Sequence, residues 1–367
     1  MNTNYDSIKE TSVHGRYLPP NWLLPVLKEW SQHLVMTEAG RSVKGEPIYR
    51  VEMGTGPHRI LLWSQMHGNE STTTKAVLDL IRFLASGVED AEAILSECRI
   101  ILLPMLNPDG AKAYTRVNAR GVDLNRDAQA LTQPESKTLR QVYEACDPHF
   151  CFNLHDQRSI YNVGSSPMPA TVSFLAPARD TERSVPTGRE RSMKLIAAIN
   201  EMLQGLIPGQ VGRYDDTFNL NCVGDTFQAL GTPTLLFEAG HFPDDYDREQ
   251  TRKYIFLSLL TALKAIADSS FDSQLPGAYA DIPENNKLFW DILVKEPHRF
   301  HPQWEEGICL GIQFTEVLRE ERIILDPKIE EAGKLGGKFG HRVFDCRREA
   351  DCGELRNNPE LSRLLGF

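Results

Sequence analysis

Residues 59–85 read RILLWSQMHGNESTTTKAVLDLIRFLA. Arg59 to Gln65 is a short apolar run, best read as a buried strand. From Glu70 to Ala85 the apolar residues Ala76, Val77, Leu80, Ile81 and Leu84 recur at helical spacing. Between them stands the polar junction His67-Gly68-Asn69-Glu70. A strand, a polar turn and a helix in succession form half of a layered α/β unit.

The same alternation continues on both sides. Pro19-Pro20-Asn21 opens a helix expected over Trp22 to His33, and Pro47 to Met53 reads as a strand ended by Gly54-Thr55-Gly56. Arg99 to Leu106 is a second buried strand, followed by the turn signal Asn107-Pro108-Asp109-Gly110. Helices are expected over Pro134–Ala145, Gly188–Leu206 and Asp245–Ala267, and strands over Phe150–Leu154 and Pro233–Phe237. This order predicts an α/β fold around a largely parallel or mixed central sheet. Ligand sites in such sheets form at the carboxyl ends of strands. Polar clusters follow Gln65, Leu106, Leu154 and Phe237, which are those ends.

The pattern changes after about residue 270, where Asp268 to Ser273 reads as a linker. The predicted division is a domain over 1–270 and a small α+β or β module over 271–367. That module offers a strand, Ile308 to Leu318, a turn at Arg319 to Glu321 and a return strand, Arg322 to Leu325. No chemical motif stands out in it.

The 367 residues include 50 Asp and Glu against 40 Lys and Arg, a formal net charge of −10. That balance excludes a general binder of nucleic acid or anionic membrane, which needs a basic face. No apolar stretch is long enough to span a bilayer, and no secretory signal is visible, so a cytoplasmic location is expected. Cys98, Cys146, Cys151, Cys222, Cys309, Cys346 and Cys352 are an odd number without a C-x-x-C pair. Reduced thiols are the expected state.

His67 and Glu70 can converge on one metal ion, since Zn²⁺ takes nitrogen and oxygen ligands and keeps a fourth position open for catalysis. The spacing alone is weak: with ten His, about one such pairing arises by chance. His155, after a strand, offers a third ligand. Glu238 ends an apolar strand, where a carboxylate is costly to bury unless it is paired or functional. Residues 107–127, NPDGAKAYTRVNARGVDLNRD, hold Arg116, Arg120 and Arg126, whose planar forks suit a carboxylate.

Taken together, MHGNE at 66–70, NPDG at 107–110, R-x-N-x-x-GVDLNR at 116–126, His155 and Glu238 resemble the zinc carboxypeptidase family, peptidase family M14. The likeness covers about residues 45–270. The short spacing from Arg116 to Asn125 looks more like compact bacterial peptidases that trim cell-wall peptides, or cytosolic carboxypeptidases, than digestive enzymes. The resemblance implies a mixed eight-stranded sheet flanked by helices. It implies one Zn²⁺ held by His67, Glu70 and His155, with Glu238 as general base on the zinc-activated water. Asn125 and Arg126 would grip the terminal carboxylate of a peptide or cell-wall peptide. Arg116 would stabilise the oxyanion, with Arg120 as runner-up. Tyr214 stands near the family's tyrosine position.

Departures bear on the substrate. Asp127 stands where Asn is common in the family. Asp156 is expected to orient a ligand histidine, and Arg158 adds a cation suited to a second acidic group. Asp225 either selects a basic side chain or caps a helix beginning at Thr226. Two rival readings remain. Amidohydrolases of the aspartoacylase and succinylglutamate desuccinylase type share HGNE, DLNR and a strand-end Glu-x-Gly. A non-catalytic binding module on the same fold is the other.

Overall fold

The computed structural model describes residues 5–275 and 277–366. Two helices, α1 (Tyr5–Ile8) and α2 (Pro20–Glu29), lead into the strands β1 (Val35–Arg41) and β2 (Pro47–Met53). The opening stretch forms β3 (His58–Trp63) and α3 (Thr72–Leu84). Then come α4 (Glu89–Glu97), β4 (Cys98–Leu103), α5 (Pro108–Ala113), α6 (Pro134–Cys146) and β5 (Phe150–Asp156). The short β6 (Asn162–Val163), β7 (Val172–Leu175), α7 (Thr187–Gln204), β8 (Val211–Arg213), α8 (Val223–Ala229), β9 (Thr234–Ala239) and α9 (Glu249–Ala267) follow.

Eight strands form one mixed sheet in the order β1-β2-β4-β3-β5-β9-β7-β8. Its centre, β4-β3-β5-β9, is parallel, while β1, β2 and the β7/β9 pair supply the antiparallel joins. The period-2 alternation of a strand explains how β3 serves two layers. Ile60 and Leu62 face a core shared with α3, α7 and α9, whereas Leu61 and Trp63 face one shared with α6 and α8. Both faces are covered, as expected for the parallel centre of a sheet. Each large side chain buried this way contributes roughly 1.5–3 kcal/mol.

Several expectations shift. β5 runs through His155 and Asp156 because its pairing with β9 continues to Asp156↔Ala239. Residues 107–110 open the helix α5 instead of a simple turn: Asn107 accepts a hydrogen bond from the Gly110 amide at 2.9 Å. The edge strand β1 escaped notice because its side chains are mostly half-buried or exposed and carry no apolar alternation.

The stretch read as a linker forms a 3-10 turn, Ser270–Ser273, and Phe271 packs in the main core with Tyr279 and Ile282. Beyond it, β10 (Asn285–Asn286) pairs with β6. Next come β11 (Phe289–Lys295), β12 (Cys309–Arg319), β13 (Arg322–Gly333), β14 (Phe339–Asp345), α10 (Glu349–Asn357) and α11 (Pro359–Leu365). The four strands order as β13-β12-β11-β14. Ile292, Val294, Leu310, Ile312 and Phe344 close a separate core against Leu355, Leu361 and Leu365 of the last two helices. The turn at 320–321 is tight, with Glu320 and Glu321 both at positive φ. No helix among the described residues is long and apolar enough to cross a membrane.

Candidate active site

The junction after β3 is held by its own backbone. Gln65 adopts φ 48°, and its side-chain amide donates to the Gly68 carbonyl at 2.9 Å. A Cβ on Gly68 would lie 1.9 Å from the Gly110 carbonyl carbon, so only glycine lets the HGNE and NPDG segments meet. This contact aims His67 and Glu70 across the ends of β3 and β5.

His67, Glu70 and His155 converge there, with ligand atoms all within 4.8 Å of one another. Glu70 lies 2.8 Å from His67 Nδ1 and 2.9 Å from His155 Nδ1 through its two carboxylate oxygens. The two Nδ1 atoms stand 3.1 Å apart. All three residues are buried. Two imidazole nitrogens and a carboxylate facing one point is the donor set of a catalytic zinc site, and these residues fit such an ion. Asp123 reaches the other nitrogen of His67, Nε2, at 3.0 Å. An outer carboxylate of this kind fixes the tautomer and directs Nδ1 inward.

Asp123 was not singled out from the sequence, although it stands inside the quoted GVDLNR. The expectation placed Asp156 in that orienting role, and the structure corrects it. The Asp156 carboxylate accepts the Thr72 and Thr73 amides at 3.0 and 3.2 Å, closing the amino end of α3. Its own amide donates to Glu70 at 3.1 Å, so it braces a candidate ligand through the backbone.

Glu238 is the direct neighbour of His155 across the parallel β5/β9 register. Its Oε2 is buried without a hydrogen-bond partner. Burial, then the nearby Glu70 and Asp156 carboxylates, push its proton affinity well above the usual carboxylate range.

A cavity of about 680 Å³ opens over these groups. Arg116, Asn125, Arg126 and Tyr214 all line it. Arg116 bridges Glu70 at 3.3 Å and Asp123 at 3.1 Å, with its guanidinium half-exposed toward the cavity. Asn125 Oδ1 accepts the Val223 amide at 3.0 Å, which fixes its side chain at the start of α8. Arg120 is not brought in. It is exposed on the Asn118–Val122 turn and does not line the cavity. Asp225 lines the cavity from within α8, which starts at Val223, so it is not the cap of a helix beginning at Thr226. Burial pushes its carboxyl up to about 6.

The second sheet contributes one wall, which no motif foretold. Asp291, Gln313 and Glu316 line the cavity together with Arg16 and Arg248. Glu316 pairs with Arg16 at 3.1 Å and accepts the Tyr114 hydroxyl at 2.5 Å. These residues are scattered from 16 to 316, so no local spacing could reveal their meeting.

Against known proteins, a family model described as zinc carboxypeptidase matches residues 21–154. Carboxypeptidase 2 of Trichophyton tonsurans is 30% identical over 101 residues, covering 27% of this chain and 19% of that protein. Carboxypeptidase D of Homo sapiens is 28% identical over 156 residues, covering 37% and 11%. The chain therefore matches only about a fifth or less of the length of these curated relatives. A metallo-carboxypeptidase structure from Burkholderia cenocepacia superposes with TM-score 0.56 at 20% identity, covering 69% of this chain and 70% of that one. A metallo-carboxypeptidase from Pseudomonas aeruginosa, solved with (2-guanidinoethylmercapto)succinic acid, gives 0.53 at 17% identity, covering 69% and 70%. At these identities the structural likeness bears on the fold.

Proposed function

We propose that the chain is a zinc carboxypeptidase and that it hydrolyses the C-terminal peptide or amide bond of a substrate with a free carboxylate; the family model that matches residues 21–154 supports this reading. The observation that carries this reading is the convergence of His67, Glu70 and His155 beside Glu238, whose buried Oε2 has no partner, in a cavity that Asn125 and Arg126 also line. A zinc ion held by the triad would supply Lewis acidity, lowering the pKa of water toward about 7 and polarising the carbonyl.

The protein's own groups do the rest. Arg126 and the Asn125 amide receive the terminal carboxylate, and this places the last amide bond above the triad. Arg116 lies where negative charge develops on the carbonyl oxygen, and a fixed donor there typically lowers a barrier by about 2.7–4 kcal/mol. Glu238 takes the proton from the attacking water and returns it to the departing amine. Its burial beside other carboxylates suits it to bind that proton transiently. Tyr214, whose hydroxyl is held protonated by burial and by Glu238, is available as a donor to the substrate. The division into a catalytic unit and a smaller C-terminal module belongs to this proposal, with the module narrowing the cavity.

Glu238→Gln tests the reading. It is expected to bind zinc with unchanged stoichiometry and to keep KM, while kcat falls ~10²–10⁴-fold. Near-normal turnover in a zinc-loaded Glu238→Gln protein would sink the mechanism. Assays on peptides beside N-acyl amino acids distinguish the peptidase from the amidohydrolase.

A further inference from the structure

The cavity holds a positive charge that the reaction just described does not use. Arg248 is 3% exposed, sits at φ 58° before α9, and lines the cavity. Its Nη1 donates to the Ala239 carbonyl at 2.5 Å, which anchors the guanidinium next to the end of β9. Its Nε is buried without a partner. Among the described residues no carboxylate forms an ion pair with it. Asp156 and Glu316 act on it from nearby, but Asp156 is engaged by the Thr72 and Thr73 amides and Glu316 by Arg16 and Tyr114. Arg158 lines the same cavity, is exposed, acts on the same Glu316, and is likewise in no ion pair.

A buried guanidinium without a counter-charge is costly unless something pairs with it. Here Asp156 and Glu316 face Arg16, Arg158 and Arg248, and both carboxylates are taken by other donors, so Arg248 is left without a paired anion. This end of the cavity is separate from the end that holds Arg126. Arg126 adjoins Asn125, which is bonded to Val223 of α8, whereas Arg248 is bonded to Ala239 of β9, and Glu316 meets Arg16 and Tyr114 on its side. The triad adjoins both neighbourhoods: Asp123, which accepts the Asn125 amide, holds His67, and the Arg16 carbonyl accepts the hydroxyl of Ser71, the residue after Glu70. A substrate whose terminal carboxylate sits at Arg126 would run past the triad toward Arg248.

We infer that Arg248 and Arg158 form a second anion subsite, which binds a carboxylate on the amino side of the scissile bond. The inference rests on the carboxypeptidase reading above and names its substrate class: peptides with an acidic residue, or another carboxylate, immediately before the released residue. A carboxylate is the anion that a peptide carries, and the planar guanidinium fork matches it. The C-terminal module completes this subsite, because Glu316 of β12 holds Arg16 away from the incoming carboxylate and leaves Arg248 as the free cation.

The test uses the full chain, zinc-loaded, and two N-acetylated peptides that differ only by Glu or Gln before the released residue. Wild-type kcat/KM is expected to favour Glu by about tenfold or more. Arg248→Lys and Arg158→Gln are each expected to reduce that ratio severalfold, and Arg158→Glu to shift preference toward Lys at the same position. Arg248 also supports the end of β9, so a fold defect in its variant is anticipated by the Arg158 variants and by the wild-type ratio, which needs no variant. Equal cleavage of the Glu and Gln peptides by the wild type overturns the second subsite and leaves the peptidase reading standing. Failure to cleave either peptide overturns both.

Discussion

At the scale of single residues, the site depends on side chains held by their neighbours. Asp123 accepts from His67 Nε2 and from the Asn125 amide, and it also meets Arg116. It therefore couples a candidate metal ligand to two of the candidate substrate contacts, Asn125 and Arg116. Asp123→Asn is expected to lower zinc affinity ~10–100-fold, read by titration against a competing chelator. An unchanged affinity would mean that His67 is oriented without it. Arg126 stands differently: its Nη1 donates to the Asn125 carbonyl at 2.8 Å, and its guanidinium remains exposed. Arg126→Ala should cost about 1.5–3 kcal/mol in kcat/KM on peptides with a free C-terminus. Amidated peptides should be cleaved as slowly as before, and a parallel loss on both substrates would refute the carboxylate contact.

At the scale of elements, α3 and α9 are locked by a buried ionic network. Arg252 pairs with Asp79 at 2.6 Å, both fully buried, and Lys75 pairs with Glu249 at 2.6 Å. Lys75 and Asp79 belong to α3, which starts two residues after the candidate ligand Glu70. Burial pushes the Glu249 carboxyl upward, but Lys75, Lys9 and Arg252 outweigh it and hold it down at about 2, against an ordinary 4.5. Its folded value is the lower one, so its stabilisation is fully present above about pH 4.5 and is lost as pH falls toward 2. Urea midpoints measured at pH 6 and pH 3 are expected to fall less between the two for Glu249→Gln than for wild type. Equal falls would remove Glu249 from the account. The strand register works at this scale too. The β5/β9 pairing sets Glu238 beside His155, and a one-residue slip would turn its side chain to the other face.

At the scale of the whole molecule, the second sheet is fastened to the rim of the site. Gln313 donates to the Ser159 hydroxyl at 2.8 Å, and Asp291 accepts from Tyr246 at 2.9 Å and from the Phe314 amide at 2.7 Å. His341 meets the Ser159 carbonyl at 2.7 Å and stacks on Phe289. The wall is therefore a fixed part of the cavity. The candidate ligands also hydrogen-bond one another, so chelation is expected to lower thermal stability without unfolding the chain at room temperature. Free zinc at 100 times its Kd adds roughly 2.7 kcal/mol. Thermal melts with chelator, and again after zinc is restored, check this, and superimposable curves would argue that the triad does not bind the ion.

The sequence by itself determined the βα units, the central strands and the residues that meet at their ends. These features rest on short-range rules: apolar runs for buried strands, helical spacing beside them, and polar groups at the junctions. His67, Glu70, His155 and Glu238 were legible because each sits at a strand end that the local pattern marks. Only the tertiary structure decided the rest. Strand β1 lies half-exposed at the sheet edge and β8 is three residues long, so neither carries enough periodicity to read. The orienting role expected of Asp156 falls to Asp123 because hydrogen-bond partners depend on where side chains point, which spacing does not encode. Arg16, Arg248 and Glu316 become neighbours through packing between elements up to 300 residues apart. Charge pairing across such distances leaves no mark on any one segment, and it is what shapes the acidic-substrate end of the cavity proposed above.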